Sequence, residues 1–147
     1  MVLRAWMEED LPKIAEMEKR CFPSDAWTEA MLADTLKMPY QWSFLVEDGG
    51  QVCGYACLLS LFDTAEVLNI AVDVDFRGKG IAVKLMTAMH EKAKELGAER
   101  MMLEVRASNV AAISLYRKFG YEKISVRRGY YADGEDAEIM EMRFENS

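Results

Sequence analysis

The stretch from Val72 to Ala82 reads Val-Asp-Val-Asp-Phe-Arg-Gly-Lys-Gly-Ile-Ala and could hold an anion. Gly78 and Gly80 have no side chains, so backbone N–H groups there can come close to a ligand. A helix starting at Ile81 and Ala82 would add the partial positive charge of its N-terminus. Arg77 and Lys79 bring full positive charges to the same loop, which then suits a phosphate or pyrophosphate. The same residues would also serve a plain tight turn with solvated basic side chains. The spacing is not a Walker A loop, which needs Gly-Lys-Ser/Thr after four intervening residues, nor a dinucleotide fingerprint, which needs a third glycine.

Glu104 is the second candidate. Period-two alternation along a strand from Met101 to Arg106 puts Met102, Glu104 and Arg106 on one face and Met101, Leu103 and Val105 on the other. Rigid backbone then holds the carboxylate, as a proton acceptor or as a solvated partner of Arg106. Asn109 and Tyr116 stand seven apart, so on a helix they project from one side at a separation of about 10 Å. They could serve one ligand, and equally act as an N-cap and a packed aromatic. Ile70, Ala71 and Val72 are apolar, so a ligand role there would run through backbone groups at a strand edge, with core packing as the alternative for the side chains.

Other chemistries are disfavoured. His90, the single histidine, lies in a helical pattern without nucleophilic or acidic neighbours of the triad kinds. Cys21, Cys53 and Cys57 are odd in number, and the closer pair is expected on one face of one strand. Neither a disulfide framework nor a zinc or other metal site is indicated, and the compartment reads as reducing.

These residues need elements to position them. Val2 to Trp6 reads as a strand and Glu8 to Cys21 as a helix with Leu11, Ile14, Ala15 and Met17 at helical spacing. A second helix runs from the Thr28 cap to Lys37, before Pro39. Trp42 to Val46 and Val52 to Leu61 flank a Glu-Asp-Gly-Gly turn and predict a hairpin. Val67 to Val72 is an apolar strand broken by Asn69, expected to be covered on both faces. An amphipathic helix follows and carries Ile81, Leu85, Ala88, Met89, Ala93 and Leu96 on one side, with Gly97 as terminator. Strands from Met101 to Arg106, Tyr121 to Val126 and Ala137 to Phe144, with a helix from Asn109 to Phe119, complete the order. This is an α+β (mixed α/β) chain with several antiparallel strands.

At 147 residues and 51% hydrophobic content the chain is expected to form one domain, residues 1–147, around a single core. It lacks a long apolar run and a basic-then-apolar N-terminus, so a soluble, unprocessed cytoplasmic protein with no membrane partner is expected. A net charge of -7 argues against direct nucleic-acid binding and leaves room for a basic partner. The 11 methionines read as core filler.

Arg77-Gly78-Lys79-Gly80-Ile81-Ala82 resembles the coenzyme motif of the GNAT superfamily of acetyl-CoA-dependent N-acetyltransferases. The resemblance extends to Asn69-Ile70-Ala71-Val72-Asp73, Leu103-Glu104-Val105-Arg106-Ala107-Ser108-Asn109, Ala111 to Tyr116 and Arg127-Arg128-Gly129-Tyr130-Tyr131, which together are similar to the RimI type, the ribosomal-protein-alanine N-acetyltransferases. Val74, where the family often has proline, Ala82 in place of the commoner glycine, and a long Phe22 to Trp27 stretch depart from the pattern.

The resemblance implies a central mixed, mostly antiparallel sheet of six to seven strands with about four helices. It also implies acetyl-CoA as co-substrate, bound by the backbone of Ile70, Ala71 and Val72, by the Arg77–Ala82 loop and by Asn109. Glu104 would be the base and Tyr116 the acid that protonates the departing thiolate. The implied acceptor is the N-terminal peptide of a ribosomal protein, the alanine amine of the eighteenth small-subunit protein. A small amine, a lysine side chain, or non-catalytic acyl-CoA binding are the alternatives.

Overall fold

A computed structural model describes residues 1–145. The elements in chain order are β1 (Val2–Arg4), α1 (Leu11–Cys21), α2 (Glu29–Lys37), β2 (Gln41–Asp48), β3 (Gln51–Leu61), β4 (Thr64–Val72), α3 (Ile81–Glu95), β5 (Arg100–Arg106), α4 (Val110–Lys118), β6 (Glu122–Arg127) and β7 (Ala137–Arg143), with single 3-10 turns at Glu8–Asp10 and Val74–Phe76. All seven strands join one sheet in the order β1-β2-β3-β4-β5-β7-β6. Every neighbouring pair is antiparallel except β4 and β5, which are parallel. The fold is the mixed, mostly antiparallel one expected.

Two cores flank the sheet. On one face Ile81, Leu85, Met86, Met89 and Ala93 of α3, with Ile113 and Tyr116 of α4, pack on Ala56, Leu58, Met101, Leu103 and Met140. On the other, Leu11, Ile14, Ala15 and Met17 of α1 and Leu32 of α2 pack on Leu45, Tyr55 and Cys57. That second helical layer covers only the β2–β4 half of the sheet, leaving the face that carries Glu104 open to the cleft described below.

The helix and strand ends differ from expectation in informative ways. The first helix starts as a 3-10 turn, because Asp10 is engaged elsewhere: it takes two bonds from Arg4, 2.7 and 2.8 Å, and one from the Met7 N–H, 2.7 Å. β1 stops at Arg4, and the Trp6 indole N–H donates to the Phe44 carbonyl at 2.8 Å. β4 begins at Thr64 rather than Val67, which brings Glu66 into the strand.

The strand pairings of the described residues hold three bulges, one of them at Ile124 of β6, and the other two bear on the site. In β3 the register passes from Val46–Gly54 to Glu47–Val52, so Cys53 is the extra residue. Cys53 and Cys57 therefore face opposite cores and not one face as their spacing suggested. In β4 the register passes from Cys57–Asn69 to Leu58–Val67, which makes Leu68 the extra residue. A bulged strand bends. β4 pairs with β5 only at Thr64–Arg100, Ala65–Met101 and Glu66–Met102, and beyond that point the two strands part.

Candidate active site

The loop after β4 is built around its glycines. Gly78 has φ 80° and Gly80 φ 77°, the left-handed region that L side chains avoid. A Cβ at either would meet nothing within 4 Å, so conformation and not crowding requires glycine there. Gly80 is the N-cap of α3 and offers no side chain to cap it. The first-turn N–H groups are thereby free for an external acceptor, and the glycine cradle fits a pyrophosphate. Asp73 holds the start of the loop by accepting from the Asp75 N–H at 3.3 Å and from Arg20 at 2.7 Å. Arg77 Nε lies 3.4 Å from the Val72 carbonyl.

The parting of β4 and β5 opens a cleft of about 1070 Å³. Ile70, Ala71 and Val72 form one side, and Arg77, Gly78, Gly80, Ile81 and Ala82 close one end. Glu104, Asn109 and Tyr116 line the other side. Lys79 is the exception among the expected residues: its ammonium sits over the Phe76 ring, 5.1 Å from the centroid, outside the lining. The side chains of Ile70 and Val72 pack against the α3 and α4 core, so what they present to the cleft is backbone along an edge with no strand against it.

Glu104 does not pair with Arg106. Its carboxylate lies 3.2 Å from Arg127 Nε, and the Tyr130 phenol beside it has its pKa raised by that carboxylate. Arg106 instead joins Asp25, Asp133 at 2.9 Å and Glu135 at 2.8 Å, with its guanidinium 4.1 Å over the Tyr131 ring. One arginine thus ties the loop after α1 to the turn between β6 and β7. Tyr130 and Tyr131 form part of the cleft wall.

Tyr116 is 7% exposed, and burial, followed by the neighbouring Tyr131, pushes its pKa up to about 12. Desolvation outweighs any charge near this phenol. Asn109 caps α4, its side-chain oxygen accepting from the Ala112 N–H at 3.2 Å. The cap role holds, and the amide nitrogen is left to donate.

Three cleft residues escaped the sequence reading. Glu18 is 1% exposed and accepts from the Tyr55 hydroxyl, from the Trp27 N–H at 2.9 Å and from Asn69 Nδ2 at 2.9 Å. Burial raises its proton affinity against these donors. It pins the loop after α1 to the β4 bulge. A signal existed: Glu18 continues the i, i+3, i+4, i+7 stripe of Leu11, Ile14 and Ala15, where a carboxylate is out of place. Asp25 carried no periodic signal, and Glu66 was hidden by the late start assigned to its strand.

The chain belongs to the acetyltransferase (GNAT) family, whose model matches residues 11–121. It is 36% identical over 136 residues to the ribosomal protein bS18-alanine N-acetyltransferase of Escherichia coli (strain K12), covering 89% of each chain. It is 34% identical over 144 residues to an N-alpha-acetyltransferase of Sulfurisphaera tokodaii, covering 89% of this chain and 86% of that one. The crystal structure of the Escherichia coli ribosomal-protein-S18-alanine N-acetyltransferase superposes with a TM-score of 0.89 at 31% identity, covering 99% of this chain and 95% of that one.

Proposed function

We propose that the chain, acting as one domain in the cytoplasm, transfers acetyl from acetyl-CoA to the N-terminal α-amine of a protein, and that its acceptor is the alanine of ribosomal protein bS18. The observation that carries this reading is the cleft itself, which is lined by Glu104, by Tyr116 and by a stretch of strand edge with no partner. The relatives named for bS18 support the choice of acceptor.

In this reading the loop Arg77–Ala82 and the α3 N-terminus bind the pyrophosphate. Ile70, Ala71 and Val72 hold the pantetheine arm by backbone, and the Asn109 amide donates to the coenzyme. Glu104 accepts a proton from the attacking amine. A free α-amine is about 3.5 units more basic than a free glutamate, roughly 5 kcal/mol, so the site must narrow that gap. Tyr116 protonates the departing sulfur. At a pKa of about 12 the phenol keeps its proton throughout the working range. A thiolate formed in the same desolvated cleft becomes more basic than the usual value of about 8.5 and closes part of the difference.

The test is incubation of the protein with acetyl-CoA and a panel of peptides and amines, with acetyl groups located by mass spectrometry. Acetylation of alanine-initiated peptides at the α-amine is expected. Faster modification of an internal lysine in an N-blocked peptide, or of a small amine, overturns the choice of acceptor.

A further inference from the structure

The bulge in β4 does more than bend the strand. Along β4, Val67, Ile70 and Val72 turn to the core under α3 and α4, while Leu68 and Ala71 turn to the core under α1 and α2. Asn69 turns the same way as Leu68 and donates from Nδ2 to Glu18 of α1 at 2.9 Å. Two successive side chains thus share one face, which strict alternation does not allow. Without the extra residue, counting on from Val67 would carry Asn69 into the apolar core of α3 and α4 and would exchange the faces of Ile70, Ala71 and Val72.

Glu18 makes the bulged arrangement the favourable one. It is 1% exposed, and both of its oxygens are engaged: Oε1 accepts from the Trp27 N–H at 2.9 Å, and Oε2 accepts from Asn69 and from the Tyr55 hydroxyl. A buried carboxylate adds little stability over a well-packed apolar side chain, and its best-attested use is to fix a register. An amide without a partner in an apolar core is disfavoured. The Glu18–Asn69 pair therefore selects one register of β4 over its one-residue neighbour.

The register matters at the cleft. Beyond Glu66, β4 has no pairing on its β5 side, and residues 70–72 line the cleft there. Successive residues of a strand aim their N–H and C=O groups at opposite edges, so a one-residue slip would replace every group offered to the cleft by its neighbour's.

We propose that Glu18 is a positioning residue for the coenzyme: by accepting from Asn69 it fixes the β4 bulge, and so decides which backbone groups of residues 70–72 face the ligand. It takes no proton in the reaction. The ligand's identity rests on the acetyl-transfer reading; the register does not.

The test uses Glu18→Gln, Asn69→Asp, the double variant carrying both, and Tyr55→Phe as a control. Each is compared with the unaltered protein by thermal unfolding, by calorimetry with acetyl-CoA and by turnover per folded molecule. Asn69→Asp sets a second carboxylate against Glu18 and releases the bulge. It is expected to weaken acetyl-CoA binding several-fold and to lower kcat roughly tenfold to hundredfold. Glu18→Gln should cause smaller losses of both. In the double variant the pair is restored with donor and acceptor exchanged, and both quantities should return to within about threefold of the unaltered protein. Tyr55→Phe removes a donor and leaves the Asn69 bond, so it should lower the unfolding temperature with kcat and acetyl-CoA affinity kept within about twofold.

A double variant no better than Asn69→Asp overturns the assignment, as do single variants that lose unfolding temperature but keep the unaltered kcat and coenzyme affinity. If Asn69→Asp fails to fold, the double variant decides: recovered folding and coenzyme affinity support the pair, and failure to fold there as well refutes it. If the unaltered protein binds acetyl-CoA but acetylates none of the amines offered, the acetyl-transfer reading fails, and the coenzyme affinities of the variants still decide the role of Glu18.

Discussion

In the proposed mechanism Tyr116 and Glu104 do opposite work with protons, and their surroundings differ accordingly. The buried phenol holds its proton, and the carboxylate has Arg127 Nε at 3.2 Å. Glu104→Gln and Tyr116→Phe are expected to lower turnover by roughly a hundredfold each, with acetyl-CoA affinity within about twofold. Turnover at the unaltered rate from about pH 6 to about pH 9 in both variants would remove these roles. At this scale the sequence was informative where a residue's type conflicts with its setting or recurs in a family motif, as at Glu104, Gly78 and Gly80. It could not reveal that Arg106 turns to Asp25, Asp133 and Glu135 and leaves Glu104 to Arg127, because those partners are 81, 27 and 29 residues away.

Helices α3 and α4 meet the end of the sheet through His90, whose ring packs among Phe119, Tyr121 and Phe144 and bonds the Tyr121 hydroxyl at 2.9 Å. Burial pushes its pKa down to about 4 from 6.5. Between those values the unfolded chain binds a proton that the folded chain does not, so stability is lost as pH falls through the window. Allowing for partial exposure, the loss is about 2 kcal/mol. Denaturant unfolding at about pH 6.5 and about pH 4 should show His90→Gln losing less than the unaltered protein. Equal losses would dismiss the effect.

Element order and type were legible in apolar periodicity. The bulges at Cys53 and Leu68 were not, since each is a property of strand pairing and an extra residue leaves no mark on a single strand. Yet the Leu68 bulge opens the cleft. A motif could announce the glycine loop, while the cleft beside it depends on which residue of β4 has no partner in β3.

Over the whole molecule the net charge of -7 acts on approach. Asp25, Glu66 and Glu104 line the cleft with Arg106, and Asp133 and Glu135 stand beside that arginine. A basic peptide should therefore be drawn in and an acidic one repelled. Raising salt from about 0.05 M to about 0.5 M is expected to reduce kcat/KM several-fold for a basic alanine-initiated peptide and to leave a neutral one nearly unchanged. Equal salt dependence for both would assign the charge to solubility alone.

The cleft passes through the thickness of the sheet. Tyr116, Ile81 and Ala82 belong to the face carrying α3 and α4, and Glu18, Trp27 and Glu104 to the other. In the proposed reading a donor and an acceptor are recognised by separate walls that share only the gap between two strands. On that reading, mutations that reshape the acceptor wall leave the donor wall's glycine geometry untouched, so a lineage built on this sheet can change clients without relearning its fuel.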